Sequence, residues 1–300
     1  TVTIDGLRSV KCYGSSMAFK AKLQKIQGVY GVKVFVKRHA ADVLYNPAQT
    51  NPEKIQEAIF VPSKFRIQTP DPAQTDSIKV VVIRTEGMYD KMDINYLGMQ
   101  FRLTGKKLYG IETEFACPLI VRVYMDPSEE LDEDWFEEVV EMKELVMPVH
   151  GGGENIIEVD YKFVELEDGV SYISTEEFIR KMFNPFRVQW KSRIEKAEGK
   201  QQYVYEIVDK NYEKPIILRN MPFLSNHLST HEGVIGVYLD LNKELQPAIQ
   251  IRYAEPMTPE KLWELMTMET WTITYKADDV RQEPAKLSFK AQGSVYEYNE

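Results

Sequence analysis

Two thiols, a close pair of histidines and a short series of methionines are the side chains in this sequence whose types suit metal chemistry. Cys12 and Cys117 are too few for a disulfide framework and too far apart for a Cys-x-x-Cys clasp. Cys12 falls where a helix is expected to start, and a helix N-terminus favours the thiolate, the metal-binding form. A lone thiolate still needs a second donor. Met17 or a sulfur from a second chain would serve; otherwise Cys12 is a free thiol. His227 and His231 lie four residues apart, the spacing that puts two imidazoles on one helix face for Zn(II). Between them stand Leu-Ser-Thr, without the glutamate of an HExxH motif, so a solvent-exposed pair with no functional role is the plainer reading. Met88, Met92 and Met99 offer thioethers to Cu(I), yet methionines at such spacings ordinarily fill gaps in an apolar core. Cys117, in the turn Ala-Cys-Pro-Leu, reads as a half-buried small apolar residue.

Other chemistries find little footing. His150 with Gly151 to Gly153 is similar to the oxyanion-hole segment of some esterases, but no Gly-x-Ser-x-Gly elbow accompanies it, and the segment reads as a hinge. With no phosphate-cradling glycine loop, nucleophile–base pair or paired-acid constellation, an enzyme is not expected. The acidic run from Glu129 to Glu141 reads as a solvated helix face, with Trp135, Phe136 and Val139 on its buried side. A net charge of -9 disfavours nucleic acid and anionic membrane surfaces as partners. No stretch approaches the roughly 20 apolar residues of a spanning helix, so direct membrane insertion is not expected. The sequence opens at Thr1 rather than a methionine, which leaves cytoplasmic and exported or cell-envelope locations both open.

The elements that must position these residues repeat along the chain. Leu23 to Phe60 and Leu228 to Met266 share a helical lead-in, a Gly-Val-x-Gly-Val step, two strand-like runs and a short helix opened by Pro-Glu-Lys. The first module, residues 1–70, reads as βαββαβ. Val2, Ile4 and Leu7 alternate in a strand, and Ser15 or Ser16 caps a helix that Gly28 ends. Two strands follow, then a helix with Asn51 as cap and Pro52 in its first turn, then the strand Lys-Phe-Arg-Ile-Gln. That order predicts two helices on one face of a four-stranded antiparallel sheet. A proline-rich linker separates it from a second, divergent module over 76–198, which carries an inserted or extra half-module. There NIIEVDYKFVEL reads as one strand, Ser174 and Glu177 as a capping box, and FNPFRVQW as an echo of FVPSKFRIQ. The third module, 199–300, opens with YVYEIV and PIILRN as strands and FLSNHLST as a helix; its tail from Asp278 is weakly patterned. The fold class expected is α+β: tandem ferredoxin-like (βαββαβ) α/β-sandwich modules.

This element order, the Gly-Val step and the Pro-Glu-x-Ile helix start resemble the heavy-metal-associated domain family, over most of modules one and three and in outline in module two. The resemblance implies soft-cation handling of the kind done by copper chaperones and metal-pumping ATPase modules, through a Met-x-Cys-x-x-Cys loop between the first strand and first helix. Here that segment is Val10-Lys11-Cys12-Tyr13-Gly14-Ser15. Cys12 matches the first cysteine, Val10 replaces the methionine and Ser15 the second cysteine. A hydroxyl is too hard a donor to replace a thiolate for Cu(I). The corresponding segments of the other modules, near Met88 to Met92 and near Arg219 to Met221, lack cysteine. Two functions follow as expectations. One is a non-enzymatic protein of soft-cation handling or ion transport, holding Cu(I) or another soft or borderline cation through Cys12. The other is a metal-independent scaffold or adaptor for a membrane transporter or another protein, with Tyr and Trp at its interfaces.

Overall fold

A computed structural model of the chain describes residues 1–89, 91–148 and 152–299. It is an α+β protein, and packing divides it into two compact units, Thr1–Met182 and Phe183–Glu300.

The first unit begins with β1 (Val2–Ile4), α1 (Tyr13–Leu23), β2 (Val29–Phe35), β3 (Ala40–Tyr45), α2 (Pro52–Ile59) and β4 (Lys64–Arg66). Asn51 caps α2 by accepting the Lys54 N–H at 2.8 Å, and Pro52 sits at its start, where a missing N–H costs no helical bond. Ile4, Leu23, Val43 and Ile55 are buried together between helices and sheet. Each such side chain contributes about 1.5–3 kcal/mol relative to leaving it in water. The sheet, however, has three strands in the order β1-β3-β2, not four. The fourth, β4, pairs antiparallel with a later strand instead, Phe65 opposite Ile111.

That later sheet belongs to β5 (Ser77–Glu86), α3 (Lys91–Leu103), β6 (Leu108–Glu114), β7 (Leu119–Met125), α4 (Glu133–Val140) and β8 (Glu144–Pro148). Its core order β5-β7-β6 repeats the earlier one, with β4 on the outer edge of β6. Asp132 caps α4, and Phe136, Val139 and Val140 are its buried stripe. The expected single strand after residue 153 is two: β9 (Glu154–Glu158) pairs with β8, and β10 (Lys162–Leu166) pairs with β5. β11 (Ser171–Ser174) also pairs with β5, and α5 (Thr175–Met182) follows, its first turn capped by Ser174 accepting from the Glu177 N–H at 3.1 Å.

The second unit comprises β12 (Phe186–Gln189), α6 (Lys191–Lys196), β13 (Gln202–Val208), α7 (Pro215–Ser229), β14 (Val234–Leu241), β15 (Pro247–Ala254), α8 (Pro259–Met266), β16 (Thr270–Lys276), β17 (Asp279–Pro284) and β18 (Ser294–Glu297). Again the first three strands of the repeat lie in the order β13-β15-β14, and β12 borders β14 as β4 borders β6. The FRI and FRV echoes are therefore two strands in one structural role. PIILRN is not a strand: α7 runs from Pro215 through an internal Pro222, because Met221, Leu224 and Leu228 recur at helical spacing and are buried against the sheet. The weakly patterned tail supplies β17, which pairs with β16, and β18, which covers β13.

The three second strands share one irregularity. Their ladders shift between Val29 and Gly31, Leu108 and Gly110, and Val234 and Gly236. The Gly-Val step thus marks a bulge, at which glycine is favoured. Among the described residues, no helix is long and apolar enough to cross a membrane.

Candidate functional site

The β1–α1 turn carries the first thiol. Cys12, not Ser15 or Ser16, is the N-cap of α1: its Sγ accepts the Ser15 N–H at 3.5 Å. Ser15 returns the favour as the third residue of a capping box. Its Oγ accepts the N–H groups of Lys11 and Cys12, both at 3.0 Å, donates to the Cys12 carbonyl at 3.0 Å, and lies 3.5 Å from Sγ. The hydroxyl standing where a second sulfur was expected is therefore committed to closing the turn. Its bond to Sγ, then the Ser15 and Gly14 N–H groups, hold the Cys12 thiol below its ordinary pKa, and the side chain is exposed. Met17 is exposed too, at 46%.

Cys117 is exposed rather than half-buried, because the turn between β6 and β7 lifts it beside a cleft of about 480 Å³ lined by Gln56, Phe60, Met88, Tyr89 and Phe115. Its Sγ donates to Gln56 Oε1 at 3.7 Å. Partial desolvation of the thiol against the cleft, with Glu53, Glu57 and Glu86 around it, raises its pKa, the opposite of Cys12. Met88 is buried and takes a weak bond from the Thr85 hydroxyl at 3.8 Å; Met99 Sδ accepts from Arg102 at 3.5 Å.

The histidine pair is not a solvent-exposed one. His227 is 1% exposed. Its Nδ1 accepts the Thr272 N–H at 3.1 Å, which places the proton on Nε2, donating to the Leu265 carbonyl at 3.1 Å. Its ring stacks on the buried Trp271 at 5.7 Å and 7°. Both ring nitrogens are thus used, leaving no lone pair for Zn(II). His231 lies beyond the end of α7, edge-on to His227 at 5.4 Å. His227 thus bridges α7 to α8 and β16 instead of facing outward. Burial, then the neighbouring His231, hold the His227 pKa below its ordinary value, against the pull of the Leu265 carbonyl. The unfolded chain binds this proton more readily, so stability present above pH ~6.5 declines as pH falls toward the folded pKa. Urea midpoints of the wild type are expected to drop between neutral pH and pH ~5.5, and to drop less in His227→Gln. Equal pH dependence in the two proteins would refute this.

Sequence reading missed one constellation. Asp93, near the start of α3, is fully buried. It accepts from the Tyr161 hydroxyl at 3.0 Å and the Tyr89 N–H at 2.8 Å, and pairs with Arg8 Nε at 3.5 Å. An acid amid the apolar positions of DINYLGMQF was its only signal. In the unit Phe183–Glu300 the turn before the first long helix is at residues 209–214, not at Arg219 to Met221, which lie inside α7; it too lacks cysteine. The glycines of the expected hinge begin in view only at Gly152; His150 and Gly151 lie outside the described residues. Among the described residues, no group of three or more His, Cys, Asp or Glu is gathered as if to hold a metal ion. Compared with known proteins, the chain matches no family model, and no curated protein or solved structure matches it.

Proposed function

We propose that the chain is a non-enzymatic interaction scaffold made of three ferredoxin-like units of the heavy-metal-associated type, in which the metal grip has become a hydrogen-bonded cap. The reading is carried by Ser15: its oxygen bonds two backbone N–H groups and one carbonyl, so the β1–α1 turn keeps its shape without a cation. The repeated 1-3-2 order of strands and the equivalent placing of α2 and α8, each opened by proline and capped through the third-residue N–H, support the family of fold. Such units leave sheet edges and helix faces for another protein, a membrane transporter among the candidates that the resemblance brings.

A second reading, soft-cation handling, draws on the exposed and acidified Cys12 thiol, which would need a sulfur from another chain to complete a two-coordinate Cu(I) site. One titration separates the two. Under reducing conditions, with a chromophoric competitor for Cu(I), the scaffold reading expects no binding tighter than micromolar and no difference between wild type and Cys12→Ser. Tighter binding at one Cu(I) per two chains, lost in Cys12→Ser, would overturn it in favour of metal handling.

A further inference from the structure

The average charge of the chain conceals two poles. From Arg8 to Arg38 the sequence carries eight Lys and Arg and no Asp or Glu. From Asp126 to Glu177 it carries eighteen Asp and Glu against two lysines. Both stretches belong to the compact unit Thr1–Met182. Arg8 is paired with Asp93. Among the described residues, none of the other seven cations forms an ion pair, and no ion pair joins one pole to the other. Lys22 and Lys25, at the end of α1, are exposed; Lys33 of β2 is exposed too, but stands opposite Asp42 on the sheet face turned away from α1. Tyr13 and Tyr30, 78% and 66% exposed, add aromatic surface to the same elements. The acidic stretch is equally open: Glu137 and Glu138 project from α4, and Glu144, Glu154 and Glu158 from the β8–β9 hairpin.

Glu129, Asp160, Glu167 and Glu176 are paired with nearby cations, but the rest of the acidic stretch and the basic one do not neutralise each other within the unit. Phosphate-rich surfaces would suit the basic pole but meet repulsion from the acidic one, which outweighs it. A partner of matching layout has both. We propose that the basic face of α1 docks the acidic surface of α4 and the β8–β9 hairpin on a second copy of this chain. Because the two surfaces differ, the contact is head-to-tail and can propagate beyond a dimer. It is steered by charge, and screening over about 8 Å at physiological salt makes it sensitive to ionic strength. The proposal goes beyond the scaffold reading and does not depend on what Cys12 binds.

Sedimentation velocity of the full chain tests it. The wild type is expected to sediment faster with rising concentration at low ionic strength and as a monomer at high ionic strength. Two triple variants, Lys20→Gln/Lys22→Gln/Lys25→Gln and Glu137→Gln/Glu138→Gln/Glu144→Gln, each remove one pole at solvent-accessible positions; circular dichroism checks their folding. Each alone should associate at least about tenfold more weakly than wild type, a loss in line with three partly screened pairs. Their equimolar mixture, having one intact face of each kind, should form a 1:1 complex and nothing larger. A wild type that stays monomeric at low ionic strength, an association indifferent to salt, or a mixture no more associated than its components would overturn the proposal.

Discussion

Asp93→Ala is expected to destabilise the protein by about 3–5 kcal/mol, the usual result of removing one partner from a buried charged cluster. Three contacts contribute to the loss. The Arg8 guanidinium, 24% exposed, keeps its charge but loses the carboxylate. The Tyr161 hydroxyl, on a residue 1% exposed, loses its acceptor, and so does the Tyr89 N–H. Burial, then the charge of Asp93, push the Tyr161 phenol well above its ordinary pKa, so Tyr161 remains a donor and cannot escape by ionising. Asp93→Asn keeps an acceptor of the same shape and should recover about half of the loss, since what remains is the ionic part of the bonds to Arg8 and Tyr161. Urea unfolding of the two variants measures both numbers. A cost below about 1 kcal/mol for Asp93→Ala would show that water or neighbouring groups take over its bonds. The cluster matters beyond stability, because Arg8 leads directly into the Cys12 turn and Asp93 heads α3: one carboxylate fixes the entries to the first helices of two successive repeats.

How far the sequence could reach depended on how local each determinant was. Helix starts were legible at Asn51 and Ser174, because a cap and the N–H it accepts lie three residues apart. The Gly-Val-x-Gly-Val step was legible as a repeat for the same reason, although its meaning as a bulge needed the partner strand. Cys12 was passed over as a cap, since sulfur is a weak acceptor and two serines stood nearby; the pairing with Ser15 is what makes it work. PIILRN was ambiguous because a short apolar run rich in isoleucine satisfies strand and buried helix alike. His227 seemed exposed because its partners, Leu265 and Thr272, belong to elements that only the fold brings beside it. β18 has four exposed residues and no alternation to mark it. The charge poles were legible in principle, but averaging over the chain to -9 erased them, and with them a basis for choosing partners.

The destination of β4 was the least local feature, and a double substitution tests it. In most helices Gly→Ala gains about 1 kcal/mol. Gly98→Ala in α3 is expected to cost about 2–3 kcal/mol instead, as overpacking does in a filled core. A Cβ there would lie 2.1 Å from Cδ1 of Phe65, the central residue of β4. The ring cannot easily withdraw: Arg102 of the same helix lies over it at 5.0 Å and donates to the Arg66 and Ile67 carbonyls at 3.2 and 3.1 Å, clamping the strand on which it stands. Phe65→Ala alone should cost a comparable amount by leaving the cleft beneath Gly98 empty. Together the two should cost less than their sum by at least about 2 kcal/mol, because the new methyl group then enters space the ring has vacated. Chemical denaturation of the wild type, both single variants and the double variant closes the cycle. If β4 instead joined the open edge of β1, Gly98 and Phe65 would not meet, and the costs would add to within about 0.5 kcal/mol.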